Sequence, residues 1–443
     1  MSSASPTQDA PPTVPNPGPL QTERHNLAVL ALQNIVLRVG WIFKTESVIM
    51  PAFLDVIAGA GWLRGCLPIL SRTGQSVPPL LFADRLRRAP LKKRMLAMTA
   101  LQMAWPFLLL SFLWNRLEDR QQPWLPAVFL VLYFLFFCAT GLNQLAYGTL
   151  QGKLIRPQRR GFLLGVGGIF GSVAAVTAAL VYLRPWLALP DYDGFTYVFL
   201  FNGAAFLFAG IVAQFCREEP DVPREGPVSR MSNSFHNAWA VFRDDRAFRR
   251  AAAVAMLFTS SMLLMPHYQW VGREKIQAPA EDLILWVIAQ NISVGVLSPL
   301  LGVVADRFGN RLAIRMAVFG MSTTPLVALA FAEMPLEVGQ RWYWVTFVFL
   351  GLLPVTMKAL LNYALELVSQ DDHPRYQSTM ALCFALPFLF SPLVGATIDW
   401  LPFAYPFLMV SGLVFLGGVL TFRMDEPRNW TPDELAAAGH SSQ

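Results

Sequence analysis

Charge is scarce in this chain: Asp, Glu, Lys and Arg make up 14% of its 443 residues, while 54% are hydrophobic. A soluble domain carries roughly a quarter charged residues, and the deficit here is concentrated in apolar runs long enough to cross a bilayer. That excludes the soluble multidomain protein that length alone would suggest. Histidine and cysteine are scarce too, at five and four residues. His25, His236, His267, His373 and His440 are scattered, and of these His267 alone falls in an apolar run. Cys66, Cys138, Cys216 and Cys383 lie within or at the ends of such runs, without the spacing of a metal site or a disulfide framework. They read as small packing residues. Phosphate-cradling loops, zinc-protease helices and nucleophile elbows are missing, and the Gly165–Gly171 cluster has no strand before it. These gaps speak against an enzyme, and no metal or cofactor is expected.

What is present is positive charge in particular places. The net charge of +6, from 35 Lys and Arg against 29 Asp and Glu, would suit nucleic acid if it formed one patch. Instead the basic residues gather in alternate connections between apolar runs, as the positive-inside rule requires. The expected partner is therefore the lipid bilayer and not nucleic acid. Both termini are expected on the cytoplasmic side of a plasma (inner) membrane. The runs predict an all-α membrane protein of twelve transmembrane helices in two pseudo-symmetric six-helix bundles. The first six are expected at 27–54, 59–82, 95–114, 123–147, 162–183 and 195–215. The second six follow at 251–268, 283–304, 312–331, 342–367, 378–398 and 404–422.

Domain limits follow from this frame. Residues 1–26 are polar and proline-rich and are expected to be disordered. A bundle at 27–216, a cytoplasmic linker at 217–250, a second bundle at 251–423 and a polar tail at 424–443 complete the chain. The linker carries Pro220, Pro223 and Pro227, then an amphipathic stretch with Phe235, Trp239 and Phe242 on one face. Arg243, Asp244, Asp245 and Arg246 end that stretch. Trp270, Trp286, Trp342, Trp344 and Trp400 are expected at the outer interface, where indole is favoured.

One stretch organises the second half. Leu301–Arg315, reading L-G-V-V-A-D-R-F-G-N-R-L-A-I-R, closes one apolar run and opens the next. Gly302, Asp306, Arg307, Gly309 and Arg311 make a tight, charged turn. Its charged side chains can bond backbone groups left over at helix ends, and Gly309 permits a positive φ. A weaker copy stands at Phe82–Arg94, where Ala83-Asp84-Arg85 matches Ala305-Asp306-Arg307 but Leu80 and Arg87 replace the glycines. A charged turn repeated in a repeated apolar frame marks an internal-repeat transporter.

The pattern Gly302-x-x-Ala305-Asp306-Arg307-x-Gly309-x-Arg311 resembles the loop motif of the major facilitator superfamily between helices two and three and between helices eight and nine. Pro157-x-x-Arg160-Gly161 resembles that family's turn into helix five, and Ser391-Pro392-x-x-Gly395 its proline–glycine element in helix eleven. The resemblance implies two halves rocking about one central site lined by helices one, four, seven and ten. It also implies a latch at the inner face, made by Asp84, Arg85, Gly302, Asp306, Arg307, Gly309 and Arg311. Helix five lacks the Gly-Pro pair of many antiporters in that family, which weighs against drug–proton exchange.

Charges inside the spans carry the most information, because an Arg or Lys at mid-bilayer costs about 2.5–3.5 kcal/mol on insertion scales unless it has a partner or a wet cavity. Arg38, Lys44, Arg64, Arg72 and Lys358 stand against Glu46 as the one acid well inside a span, and Glu46 and Arg64 could pair. Asn34, Arg38, Trp41 and Thr45 recur at steps of four, three and four residues, one stripe at about 100° per residue. Lys44 borders the stripe and Glu46 points away from it. Arg72 and Gln75 share a face of the second span. With Gln290 and Asn291, and with Lys358 and Asn362, these are the expected substrate-binding residues. Surplus positive charge in a low-dielectric site attracts an anionic or zwitterionic solute.

The expected function is therefore secondary active or facilitated transport of a small organic anion by alternating access. The chain would act as a monomer, with a proton or a sodium ion as candidate coupling partner. Efflux of amphipathic compounds is an alternative that Trp41 and the many phenylalanines allow but the buried arginines fit poorly. A transporter-shaped sensor or scaffold is another, and no soluble output domain supports it.

Overall fold

The computed structural model describes residues 19–221, 239–368 and 373–426, and every regular element among them is helical. Among the described residues, eleven helices are long and apolar enough to cross a membrane. Gly61–Arg88 supplies a twelfth by length, 28 residues, although its arginines and Pro68, Pro78 and Pro79 dilute its apolar character. Helix one comprises Pro19–Phe43 and Ile49–Ile57, and helix two is Gly61–Arg88. Helix three is Lys92–Arg116 and helix four Leu125–Leu154. Helix five begins with Pro157–Ala178, and helix six is Gly194–Gln214. In the second half, helix seven joins Arg246–Thr259 to Met265–Trp270, helix eight is Asp282–Phe308, and helix nine joins Asn310–Ser322 to Thr324–Glu333. Helix ten ends in Leu352–Glu366, helix eleven joins His373–Ala385 to Ser391–Trp400, and helix twelve is Ala404–Leu420.

Several helices outrun their apolar cores by a turn or two at the end that carries both termini. Hydropathy changes at the bilayer surface, whereas backbone hydrogen bonding continues until a breaker arrives. Two expectations change as a result. Helix one already starts at Pro19, so 19–26 is ordered; residues 1–18 lie outside the described residues. Asn26 donates to the Arg217 carbonyl at 2.9 Å and accepts from the Arg217 amide at 2.7 Å. Glu23 accepts from the Arg156 amide at 3.1 Å. Asp84 and Arg85 lie within helix two and not in a loop, since nothing between Leu80 and Arg88 stops a helix before Pro90. Their side chains lie outside the described residues. Of the linker, 222–238 (Phe235 included) is outside the description, as is the tail 427–443. Helical residues 239–244 leave Trp239 exposed and turn Phe242 onto the core. Asp245 then caps helix seven by accepting from the Phe248 amide at 2.9 Å.

The first helix of each half is interrupted. Helix one stops at Phe43, and Lys44–Val48 are non-helical before Ile49–Ile57 resumes. Pro51 explains the break: it has no N–H for the Ser47 carbonyl and its ring clashes there. The Thr45 carbonyl instead gathers the amides of Val48, Ile49 and Met50 at 3.4, 3.1 and 3.1 Å. Helix seven narrows to a 3-10 turn at Ser260–Leu264, just ahead of Pro266. The upper piece of helix one is pinned by Phe53, whose ring meets Trp114, Phe129, Phe195 and Phe199 at 4.9, 5.2, 5.1 and 4.7 Å. In the second half Trp286 is 1% exposed and stacks on Phe347 at 5.1 Å, so it is a core anchor and not an interface residue. Trp342 and Trp400 are exposed, as an outer belt requires.

At the end away from the termini the two halves meet. Asp399 of helix eleven accepts from the Gly61 and Trp62 amides at 2.8 and 3.1 Å, capping helix two across the interface. One turn on, the Ser391 hydroxyl donates to the Gly65 carbonyl at 2.6 Å. A Cβ added at Gly395 would lie 2.2 Å from the Gly61 carbonyl oxygen, so the two backbones are in direct contact. Deeper in, the Ser47 hydroxyl donates to Gln290 Oε1 at 2.6 Å. Toward the termini the picture reverses: a Cβ at Gly165, Gly168, Gly295 or Gly302 meets nothing within 4 Å.

The terminal end of each half is tied by an acidic corner that follows its sixth helix, Phe215-Cys216-Arg217-Glu218-Glu219-Pro220 and Phe422-Arg423-Met424-Asp425-Glu426-Pro427. Glu218 accepts from the Lys92 and Lys93 amides at 2.9 and 2.8 Å, and from Lys153 at 2.9 Å. Beside it Lys153 and Lys92 hold the Asp221 carboxyl below its ordinary value. Asp425 takes Arg250 Nη1 at 2.8 Å, and Glu426 faces Arg311 Nε at 3.5 Å. Gly309 ends helix eight with φ 93° and ψ 153°, a backbone region essentially restricted to glycine. A Cβ there would also stand 2.7 Å from the Glu426 carboxylate. Gly309→Ala is expected to cost about 1–3 kcal/mol, read as a lower melting temperature, whereas Gly302→Ala, helical with open space beside it, should not lower it. Equal melting temperatures for the two variants would mean that the turn relaxes freely.

Candidate functional site

The interrupted helix one opens onto a central cavity of about 650 Å³ between the halves, a size suited to a small organic molecule. Asn34, Arg38, Trp41 and Thr45 line it from helix one and its break, Gln290 and Asn291 from helix eight, and Lys358 from helix ten. The helical stripe thus turns one face to the cavity as far as Phe43. Past that point helical periodicity no longer applies, and the break swings both Lys44 and Glu46 into the wall. Helix four contributes Thr140, Asn143, Gln144 and Tyr147, spaced at i, i+3, i+4 and i+7. Asn34 donates to the Tyr147 hydroxyl at 2.9 Å and so fixes the lower wall. Gly167 and Gly171 of helix five let helix one pack closely behind Asn34 and Arg38.

Lys44 is 1% exposed and sits in an aromatic box, its ammonium 3.4 Å from the Trp41 ring centroid and 4.2 Å from that of Phe137. Its anionic partner is Glu46, at 3.3 Å. Arg38 and Lys358 have no carboxylate within ion-pair distance among the described residues, and the buried Nε of Arg38 has no hydrogen-bond partner. Among the described residues the wall therefore carries three cations and one carboxylate. Backbone groups freed by the break are tolerable at this depth because they border the cavity.

Other expected site residues fall elsewhere. Arg72 borders a separate pocket behind Glu46, where its Nη1 donates to Gln75 Oε1 at 3.3 Å; neither residue lines the central cavity. Both lie on the face of helix two that turns toward helices four and seven. Asn362 is exposed and is not part of the lining. Arg64 pairs with Asp55, not with Glu46, and also donates to the Gly59 carbonyl at 3.1 Å and, through Nε, to His267 Nδ1 at 3.4 Å. Asp55 thus adds a second acid to helix one, in its upper piece. Of the turn residues, Asp306 and Arg307 are exposed in the last turn of helix eight, and Arg311 Nη1 donates to the Met424 carbonyl at 2.9 Å. Lys44, Glu46, Gln144 and Tyr147 were missed. Pro51 was the sequence signal for the first pair, and the polar face of helix four for the second.

No curated protein sequence matches the chain. Among solved structures, a bacterial homologue of the human lysosomal transporter Spinster, inward-facing and unoccupied, is 11% identical over 93% of this chain and 99% of its own, with a TM-score of 0.62. The nucleoside transporter NupG is 11% identical over 91% and 99%, with a TM-score of 0.65. A transporter of the POT family in complex with 5-aminolevulinic acid is 12% identical over 91% and 96%, with a TM-score of 0.67. At such identities the likeness is one of fold. The family model of the Major Facilitator Superfamily matches residues 81–277 and 272–442. A multi-pass helical chain, matched over most of its length and built around one central cavity, this protein belongs to the Major Facilitator Superfamily and is a membrane transporter.

Proposed function

We propose that the chain carries a small organic anion across the membrane by alternating access, and that the arrangement described is its inward-open form. The observation that carries this reading is the surplus of positive charge in the cavity: Arg38 from one half and Lys358 from the other, both without a carboxylate partner among the described residues. A solute with an anionic group facing each half would be held by both, and closing the halves on it would desolvate and strengthen those contacts. Lys92, Lys93, Lys153, Arg156, Arg159 and Arg160 gather at the end that holds Pro19 and Glu426, and by the positive-inside rule this supports a cytoplasmic side for that end in a plasma membrane.

A thermal-shift screen of the purified protein tests the sign of the charge. Organic mono- and dicarboxylates, 5-aminolevulinic acid among them, should raise the melting temperature by ligand linkage, while organic cations and neutral sugars should not. Stabilisation by cations alone would overturn the anion reading.

A further inference from the structure

The wall of the central cavity holds neutral groups as well as cations, and several of them are already half used. Asn143 of helix four donates both N–H bonds of its amide, to the Leu96 carbonyl at 3.2 Å and to the Thr99 hydroxyl at 2.9 Å. A backbone carbonyl can only accept, so the Leu96 contact fixes which way round the amide sits and leaves its Oδ1 as a free acceptor. Asn291 of helix eight is fixed in the same way: its Nδ2 donates to the Val287 carbonyl at 2.8 Å, one turn back on the same helix. Both residues line the cavity; neither oxygen has a hydrogen-bond partner among the described residues, and neither is sealed from open space. Gln290 has the reverse bias, since its Oε1 takes the Ser47 hydroxyl at 2.6 Å and its Nε2 remains to donate. Among the described residues, each half thus offers a cation without a carboxylate partner and a free amide oxygen: Arg38 and Asn143 from the first, Lys358 and Asn291 from the second.

These oxygens add a requirement that positive charge alone does not. A bare aliphatic anion meets the cations but has no donor for the oxygens, which are left buried and unpaired once the halves close and water leaves. An ammonium group supplies donors, but Arg38, Lys44 and Lys358 repel it. A hydroxyl supplies a donor without charge, and it can also accept from Gln290 Nε2. We propose that the solute is a polyhydroxylated organic anion, of the sugar-acid or hydroxy-acid class, with anionic groups on Arg38 and Lys358 and hydroxyls on Asn143 and Asn291. The inference rests on the anion reading and narrows it. Asn143 and Asn291 then set specificity: they separate a hydroxylated acid from its deoxygenated analogue, while the cations separate acids from neutral polyols. The cavity of about 650 Å³ gives room for six-carbon acids of this kind.

Isothermal calorimetry on the purified full-length protein tests this with three six-carbon probes. Adipate and glucarate are both dicarboxylates, and glucarate adds a hydroxyl at each inner carbon; glucitol has the hydroxyls without the charge. Glucarate should bind about tenfold more tightly than adipate, and glucitol should not bind. Asn291→Leu removes one oxygen at similar bulk, at a half-buried helical position where leucine is a good helix former. It should weaken glucarate about fivefold, move adipate far less, and keep the melting temperature of the unliganded protein. Equal affinities of the two acids, or the full wild-type preference for glucarate in Asn291→Leu, would overturn the proposal and leave the anion reading standing. Binding of neither acid, with other anions of the screen bound, would do the same. Glucitol bound as tightly as glucarate, or failure of every anion, would overturn the anion reading itself.

Discussion

Gly395→Val is expected to abolish transport while the protein still folds and inserts. The Gly395 site has no space for a side chain: even a bare Cβ lies 2.2 Å from the Gly61 carbonyl oxygen and 3.1 Å from the Gly65 Cα. All of those are backbone atoms, so relief requires helices two and eleven to separate. Separation also breaks the cap that Asp399 places on Gly61 and Trp62 and the Ser391–Gly65 hydrogen bond. A penalty of about 3 kcal/mol would lower the population of the sealed form more than a hundredfold. The opposite form, with this end open, loses nothing, so the variant should accumulate there. In a cysteine-free background, Asn291→Cys in the cavity wall should then react with a membrane-impermeant thiol reagent from outside the cell in the Gly395→Val protein and stay protected with Gly395 intact. Equal protection in both would mean that the seal is not a moving part.

Arg38→Lys is the second large effect, and it separates binding from folding. Arg38 lies on the cavity face of helix one, its Nε buried without a hydrogen-bond partner and no carboxylate paired with it among the described residues. Holding a guanidinium in that state is unfavourable unless the solute completes it. A guanidinium also offers a planar fork that matches a carboxylate or phosphate through two parallel bonds, which an ammonium cannot reproduce. Lysine would keep the charge but lose one charge-assisted bond, about 1.5–3 kcal/mol, or roughly ten- to a hundredfold in Kd. The melting temperature of the unliganded protein should not fall, and isothermal calorimetry with the most stabilising anion of the screen reads the affinity. Wild-type affinity in Arg38→Lys would make this a structural arginine.

The stretches that could be read ahead of the structure were those governed by local physics. Spans of apolar residues, the alternation of basic connections and the glycine at 309 depend on a few neighbouring residues, and the chain's layout followed from them. The cavity stripe Asn34–Arg38–Trp41 was legible for the same reason, since one helix keeps one period. Legibility failed at Lys44 and Glu46 because a helical wheel was carried past Phe43, although Pro51 marks where the backbone must depart from it. Asp55 is hidden from a sequence reading because it lies one residue beyond the apolar run at 27–54, which leaves Glu46 as the one visible partner for Arg64 when the pair is in fact Arg64–Asp55. The seal between Gly61 and Asp399 joins residues 338 apart. No local pattern encodes such a pairing; it depends on how the two halves come together.

Uptake into proteoliposomes tests the central claim most directly, using the anion that most stabilises the purified protein, with the wild type, Arg38→Lys and empty vesicles side by side. The expected result is saturable uptake by the wild type and, at sub-saturating solute, at least tenfold slower uptake by Arg38→Lys. Wild-type uptake no faster than into empty vesicles, with the anion bound and the protein folded, would contradict the account.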